Sequence, residues 1–212
     1  MSGRHARLVL ASTNKGKAKE FAARFAAADI ALSSLADYPA LPAVVEDGAT
    51  FRDNAVKKAR ETAEALGIPA LADDSGLCVD RLSGRPGVLS ARYAGEHASD
   101  ADNVHKLLLE LGALGGAPEH APPGPEGCLL LSPASFVCAL ALYDPASGEL
   151  TVTEGACSGW IIDARRGSGG FGYDPVFYIP RYSRTMAELT MEEKNAVSHR
   201  GQAIDKLMLH LI

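Results

Sequence analysis

Apolar positions along the chain fall into short runs and helical stripes that alternate over the first hundred residues. Leu8 to Ala11 is a brief continuous apolar run, which predicts a short buried strand entered from a polar, frayed N-terminus. From Lys15 to Asp29 the spacing changes to a helical one, with Phe21 and Phe25 four apart on one face. The turn between them is Ser12-Thr13-Asn14. A second helix is predicted over Phe51 to Leu66, with Thr50 as N-cap, Asp53 at the capping-box position and Gly67 as its stop. Ile68 to Leu71 leads into a strand that ends at Asp73-Asp74, and Leu77 to Val79 is a candidate continuation. Ser99-x-x-Asp102 caps a third helix running through Leu111. Gly112 to Gly127 is rich in Gly and Pro and has no period, which predicts a mobile surface loop. Phe136 to Tyr143 and Leu150 to Thr153 read as strands joined by an Asp-Pro-Ala-Ser-Gly turn. Thr190-x-x-Glu193 opens a helical C-terminus, broken near Ser198, that presents Ile204, Leu207, Met208 and Leu211 on one face. Early alternation followed by hairpin strands predicts an α/β fold with a mixed sheet.

At 212 residues the length suits one domain spanning 1–212. A net charge of −5 without an extended basic run argues against a nucleic-acid binder, while leaving room for a local basic pocket. Cys78, Cys128, Cys138 and Cys157 form no CxxC pair and sit among apolar neighbours, as reduced thiols of a cytoplasmic protein do. The histidines form no HExxH or Cys/His cluster, so the chain lacks a zinc signature. No apolar stretch suits a signal peptide or a membrane span.

Five stretches carry candidate chemistry. "ASTNKGKAKEF" sets a polar turn and lysines at a helix start, an arrangement that binds phosphate but equally describes a capped surface helix. It is not a Walker A loop, because Ala18 follows Lys17 where a magnesium-binding hydroxyl would stand. "EDGATFRDNAVKKA" places Glu46 before a helix carrying Lys58; alone, Glu46 reads as a complement to the helix dipole. "ADDSGLCVD" pairs Asp73 with Asp74, either as a solvated turn or as metal-binding carboxylates for phosphate chemistry. "GSGGFGYDPVFYIP" presents Phe171 on glycine backbone, suited to stacking on a base or to a tight aromatic turn. "EEKNAVSHRGQA" adds Lys194, His199 and Arg200 around a helix break, three donors that can serve oxo groups or phosphates.

Taken together and in order, STNKGK, FRDNAVKKA, ADDSGLCVD with SGRPGVLSARYAG, GGFGYDPVF and AELTMEEKNAVSHRGQA resemble the inosine triphosphate pyrophosphatases, also called dITP/XTP pyrophosphatases. The resemblance runs from Leu8 to the C-terminus. It departs at Ser12-Thr13, at Asp53 in place of the usual Glu, and in a longer segment over Gly112–Gly127 and Cys128–Ser132.

The resemblance implies an elongated mixed sheet flanked by helices, two lobes with the active site in a cleft between them, and a homodimer. It implies hydrolysis of ITP, dITP and XTP to the monophosphate and pyrophosphate with Mg²⁺, with no nucleic-acid or membrane partner. Asp74 would be the catalytic carboxylate and a metal ligand, Glu46 a second metal contact, and Asp73 either a water-mediated ligand or an orienting group. Ser12, Thr13, Asn14, Lys15, Gly16, Lys17 and Lys58 would hold the triphosphate and Ser75 would touch the nucleotide. Phe171, Gly172, Tyr173 and Asp174 would wall the base and sugar, with Lys194, His199 and Arg200 completing the purine pocket. The alternatives are a pyrophosphatase for other modified nucleotides and a non-catalytic purine-nucleotide sensor.

Overall fold

The computed structural model describes residues 8–116 and 118–211; the N-terminal stretch expected to fray lies outside them. In chain order the regular elements are β1 (Leu8–Leu10), α1 (Lys15–Ala27), β2 (Leu32–Ser34), α2 (Phe51–Leu66), β3 (Ala70–Val79) and α3 (Asp100–Ala113). They continue as β4 (Leu130–Tyr143), β5 (Leu150–Ile162), β6 (Phe177–Ile179), β7 (Arg184–Thr185), α4 (Met191–Val197) and α5 (His199–Leu211). The strands follow the order β2-β1-β3-β4-β5-β6-β7. β1 pairs parallel with β2 and β3, and β6 pairs antiparallel with β5 and β7, so the sheet is mixed and the α/β class holds.

The chain gathers into two compact units. The first comprises residues up to Asp74, Cys138–Gly155 and the segment from His199 onward; the second comprises Ser75–Val137 and Ala156–Ser198.

In the first unit the strands carry helices of different character on their two faces. Phe21 and Phe25 of α1, with Ala203, Ile204 and Leu207 of α5, pack on Leu8, Leu10, Leu71, Cys138 and Leu140. The other set is made of alanines: Ala55 and Ala59 of α2 meet Ala11, Ala72, Ala139 and Ala141. Methyl groups let a helix lie close to the strands, so short polar side chains on α2 can reach strand residues. Neither Gly155 nor Gly159 could carry a side chain within β5. A Cβ at Gly155 would strike the His199 carbonyl, and one at Gly159 would sit 2.6 Å from the Phe177 ring.

The second unit has its own core, in which the rings of Phe136 and Phe177 pack at a tilt of 43° with centroids 4.4 Å apart. Leu77, Val79, Val104, Leu107, Leu111, Ile161 and Ile162 surround them.

Three expectations change. Asp73-Asp74 does not end a strand: β3 runs unbroken to Val79. Burial of adjacent carboxylates is tolerated because cations and an amide from α1, α2 and α5 receive them. β5 extends nine residues beyond Thr153, to Ile162, and passes through Gly155 and Gly159. The segment after α3 is irregular as expected, but its start is anchored. The Arg81 guanidinium donates to the carbonyls of Gly115 at 2.6 Å, Gly116 at 2.9 Å and Leu131 at 2.8 Å.

Candidate active site

Successive residues of a strand face opposite sides, so Asp73 and Asp74 enter different environments. Asp73 faces α1 and α5. Its Oδ1 pairs with Lys17 Nζ, and its Oδ2 accepts from Arg200 Nε at 3.2 Å and from the Cys138 thiol at 3.2 Å. Arg200 also gives Nη1 to Glu20 Oε2 at 2.5 Å. All of Glu20, Asp73, Cys138 and Arg200 are buried. Burial alone would push the Asp73 carboxyl up, yet the Arg200 and Lys17 charges hold it far below the usual carboxylate range. Burial likewise opposes the charge on Arg200, and Asp73 and Glu20 restore it. The Cys138 thiol is pushed up, by burial first and then by the Asp73 charge, and stays protonated as a donor.

Asp74 faces α2, where Asn54 and Lys58 lie four apart on one helical stripe. Its Oδ2 accepts from Asn54 Nδ2 at 3.0 Å, and its Oδ1 lies 3.5 Å from Lys58 Nζ. The same ammonium sits 2.8 Å from Glu46 Oε1. Burial raises the Asp74 pKa above its ordinary value, and the Lys58 charge and the Asn54 hydrogen bond only partly offset this. Two carboxylates thus share one ammonium on this side of the strand. The capping box of α2, Thr50 with Asp53, fixes where the helix starts and hence where Asn54 falls.

The first-unit turn before α1 is ordered by its own side chains. Ser12 Oγ accepts from the Asn14 N–H at 3.2 Å, and Asn14 Oδ1 caps the Lys17 N–H at 3.0 Å. Thr13 and Asn14 are exposed, Ser12 and Gly16 half-buried, and the Lys15 side chain lies outside the described residues. His199 and Arg200, both buried, open α5 in this unit, directly after the break at Ser198.

The second unit begins at Ser75, half-buried, and holds the aromatic turn. Phe171 sits between Gly170 and Gly172, both with left-handed φ, at +73° and +59°. Its N–H donates to Asp174 Oδ2 at 3.0 Å, which also receives Lys194 Nζ at 2.7 Å. That ammonium lies 5.0 Å from the centre of the Phe171 ring, in cation–π range. The Tyr173 hydroxyl donates to the Ser90 carbonyl at 2.9 Å, and its ring belongs to the core of this unit.

The first unit therefore brings together Lys17, Glu46, Lys58, Asp73, Asp74 and Arg200. The second brings together Phe171, Gly172, Asp174 and Lys194. Sequence reasoning missed Glu20, Asn54 and Cys138. Asn54 had a legible signal, since an Asn within a helix is a poor helix former and needs a reason to be there. Glu20 and Cys138 had none, because both look ordinary in their local segments.

Carboxylates of β3 held by lysines of α1 and α2, beside a capped helix start, give this α/β protein a concentrated charged site. The Ham1 family model matches residues 8–210, and the chain belongs to that family. It is 50% identical over 200 residues to a dITP/XTP pyrophosphatase of Geobacillus kaustophilus, covering 94% of this chain and 91% of that protein. It is also 50% identical to one from Geobacter sulfurreducens, over 97% of this chain and 96% of the relative. The solved structure of a HAM1 protein from Coxiella burnetii matches with a TM-score of 0.83 at 40% identity, over 97% of this chain and 98% of that one.

Proposed function

We propose that this chain hydrolyses the non-standard purine nucleoside triphosphates ITP, dITP and XTP to the monophosphate and pyrophosphate, removing them from the nucleotide pool. The relatives named dITP/XTP pyrophosphatase support the substrate class. The observation that carries the chemistry is the setting of Asp74: a buried carboxylate held by Asn54 and facing Lys58 and Glu46.

A triphosphate repels carboxylates, so the site needs more positive charge than one shared ammonium supplies. The donor set of Asp74 and Glu46 is all oxygen, which suits Mg²⁺ and its retained waters. Among the described residues no cluster of three or more acidic, His or Cys side chains forms a closed metal cage. Mg²⁺ held there would neutralise phosphate charge and lower the pKa of a bound water.

Asp74 orients the attacking water and takes its proton, while Asn54 fixes the carboxylate's direction. Asp73, locked by Lys17 and Arg200, holds the strand in place beneath it. Lys58 and the Ser12–Lys17 turn bind the phosphates, and Ser75 contacts the nucleotide. Phe171, Gly172, Tyr173, Asp174 and Lys194 receive the base and sugar, and His199 and Arg200 select the base. All four cysteines are free, which suits a reducing cytoplasm. We also propose a homodimer, on the strength of the resemblance; its mass in solution tests that.

The deciding experiment incubates the protein with ITP, dITP, XTP, ATP, GTP and modified pyrimidine triphosphates, with Mg²⁺ or with EDTA, and identifies products. The expected result is monophosphate and pyrophosphate from the first three, lost in EDTA. Orthophosphate as the first product, or full turnover after metal removal, would overturn the reading. Tight binding without turnover would favour a nucleotide sensor.

A further inference from the structure

Phe171 stands on a turn whose glycines leave the backbone soft, since both Gly170 and Gly172 adopt conformations that few other residues share. A ring meant to stack on a base needs its direction fixed by something outside that backbone. Two carboxylates do this, one on each of two consecutive amides. Asp174 Oδ2 accepts the Phe171 N–H at 3.0 Å from within the turn. Asp100 Oδ2 accepts the Gly172 N–H at 2.7 Å from 72 residues away, at the first position of α3. Asp174 is shared with Lys194, whereas Asp100 ties the turn to a helix with its own capping box, Ser99 with Asp102.

We infer that Asp100, which lies outside the five stretches of candidate chemistry, is a positioning residue that sets the Phe171 ring for the purine by holding the Gly172 amide. The inference rests on the reading of Phe171 as the base-stacking residue. Removing the Asp100 carboxylate leaves Asp174 in place and the Ser99–Asp102 box intact, so the turn loosens without unfolding. A charge-assisted hydrogen bond of this kind changes binding by about tenfold.

The test compares wild type, Asp100→Ala and Asp100→Asn. IMP, which cannot turn over, reports binding by calorimetry; ITP reports kcat and KM; tripolyphosphate reports the phosphate side by inhibition. Asp100→Ala should weaken IMP binding and raise the ITP KM by about tenfold, with kcat within about twofold. Asp100→Asn keeps an acceptor oxygen and should recover most of the loss. Tripolyphosphate inhibition should be unchanged in both. Unaltered IMP binding and KM in Asp100→Ala overturns the inference, as does an equal loss of tripolyphosphate inhibition or an Asn variant as weak as the Ala one. Wild type that binds IMP but hydrolyses no purine triphosphate refutes the catalytic reading while the binding comparison still decides the role of Asp100. Wild type that binds no IMP overturns both.

Discussion

Arg200 Nε lies 3.2 Å from Asp73 Oδ2, with each side chain almost wholly shielded from water. The guanidinium is held a second time by Glu20, so an α5 residue, an α1 residue and a β3 residue form one buried ionic group. Such a group is costly to break from one side, because the carboxylates left behind lose their compensation. Arg200→Ala should therefore destabilise the protein by about 3–5 kcal/mol, whatever its effect on substrate. Denaturant unfolding of the purified variant measures this. A loss below about 1 kcal/mol would mean that Lys17 alone suffices for Asp73.

Asp74 is buried too, but its partners only partly compensate it. Asp74→Asn keeps the shape and an oxygen for the Asn54 amide, and removes the charge proposed to take the proton. Its turnover of ITP should fall by about 10²–10³-fold. Its unfolding transition should stay at or above that of wild type, since burial already opposes the lost charge. Near wild-type turnover in the folded variant would move the catalytic role elsewhere.

How far the residues foretell this site depends on whether the determinant is local. α2 is found with its stated bounds, because Thr50, Asp53 and Gly67 act within a few residues of the helix ends. The break between α4 and α5 at Ser198 was legible for the same reason. β2 went unforeseen: it is three half-buried residues whose strand character comes from pairing with β1. Leu77 to Val79 was legible as a continuation of β3, whereas the burial of Asp73-Asp74 within it depends on Lys17, Lys58 and Arg200, which no local window contains. The sequence marks Cys138 as a reduced thiol among apolar neighbours, and only the fold shows it donating to Asp73. The motif residues were visible by type and order; their partners were not.

The second unit sets an alkaline limit. Burial, with the Asp174 charge as a lesser cause, raises the Cys157 thiol to about 11 from an ordinary 9.0. Burial and the hydrogen bond to Glu110 raise Tyr93 to about 12 from 10.0. In both cases the unfolded chain loses its proton first. The stability these groups contribute is therefore complete below pH 9 and is lost as pH rises through about 11 and 12. Unfolding free energy should fall steadily from pH 9 to 11, and Cys157→Ala should flatten the early part of that fall. An unchanged slope in the variant would show that Cys157 does not titrate as its burial requires.

Base selection is best probed at His199, since replacing Arg200 disturbs the ion pairs of Asp73 and Glu20. His199 and Arg200 can both donate to a 6-oxo group, which hypoxanthine and xanthine carry and adenine lacks. Adenine would set an amino donor against those donors and leave buried groups unmatched, a mismatch that rejects analogues strongly. Guanine shares the 6-oxo group, so its rejection has to come from the 2-amino group meeting an edge with no spare acceptor. Removing one donor should cost about tenfold against ITP and little against ATP. His199→Ala is therefore expected to lower kcat/KM for ITP about tenfold while that for ATP stays within about twofold, narrowing the preference. Steady-state kinetics on both nucleotides settle the point: an equal fall for the two would assign His199 to the phosphates or to the packing of α5.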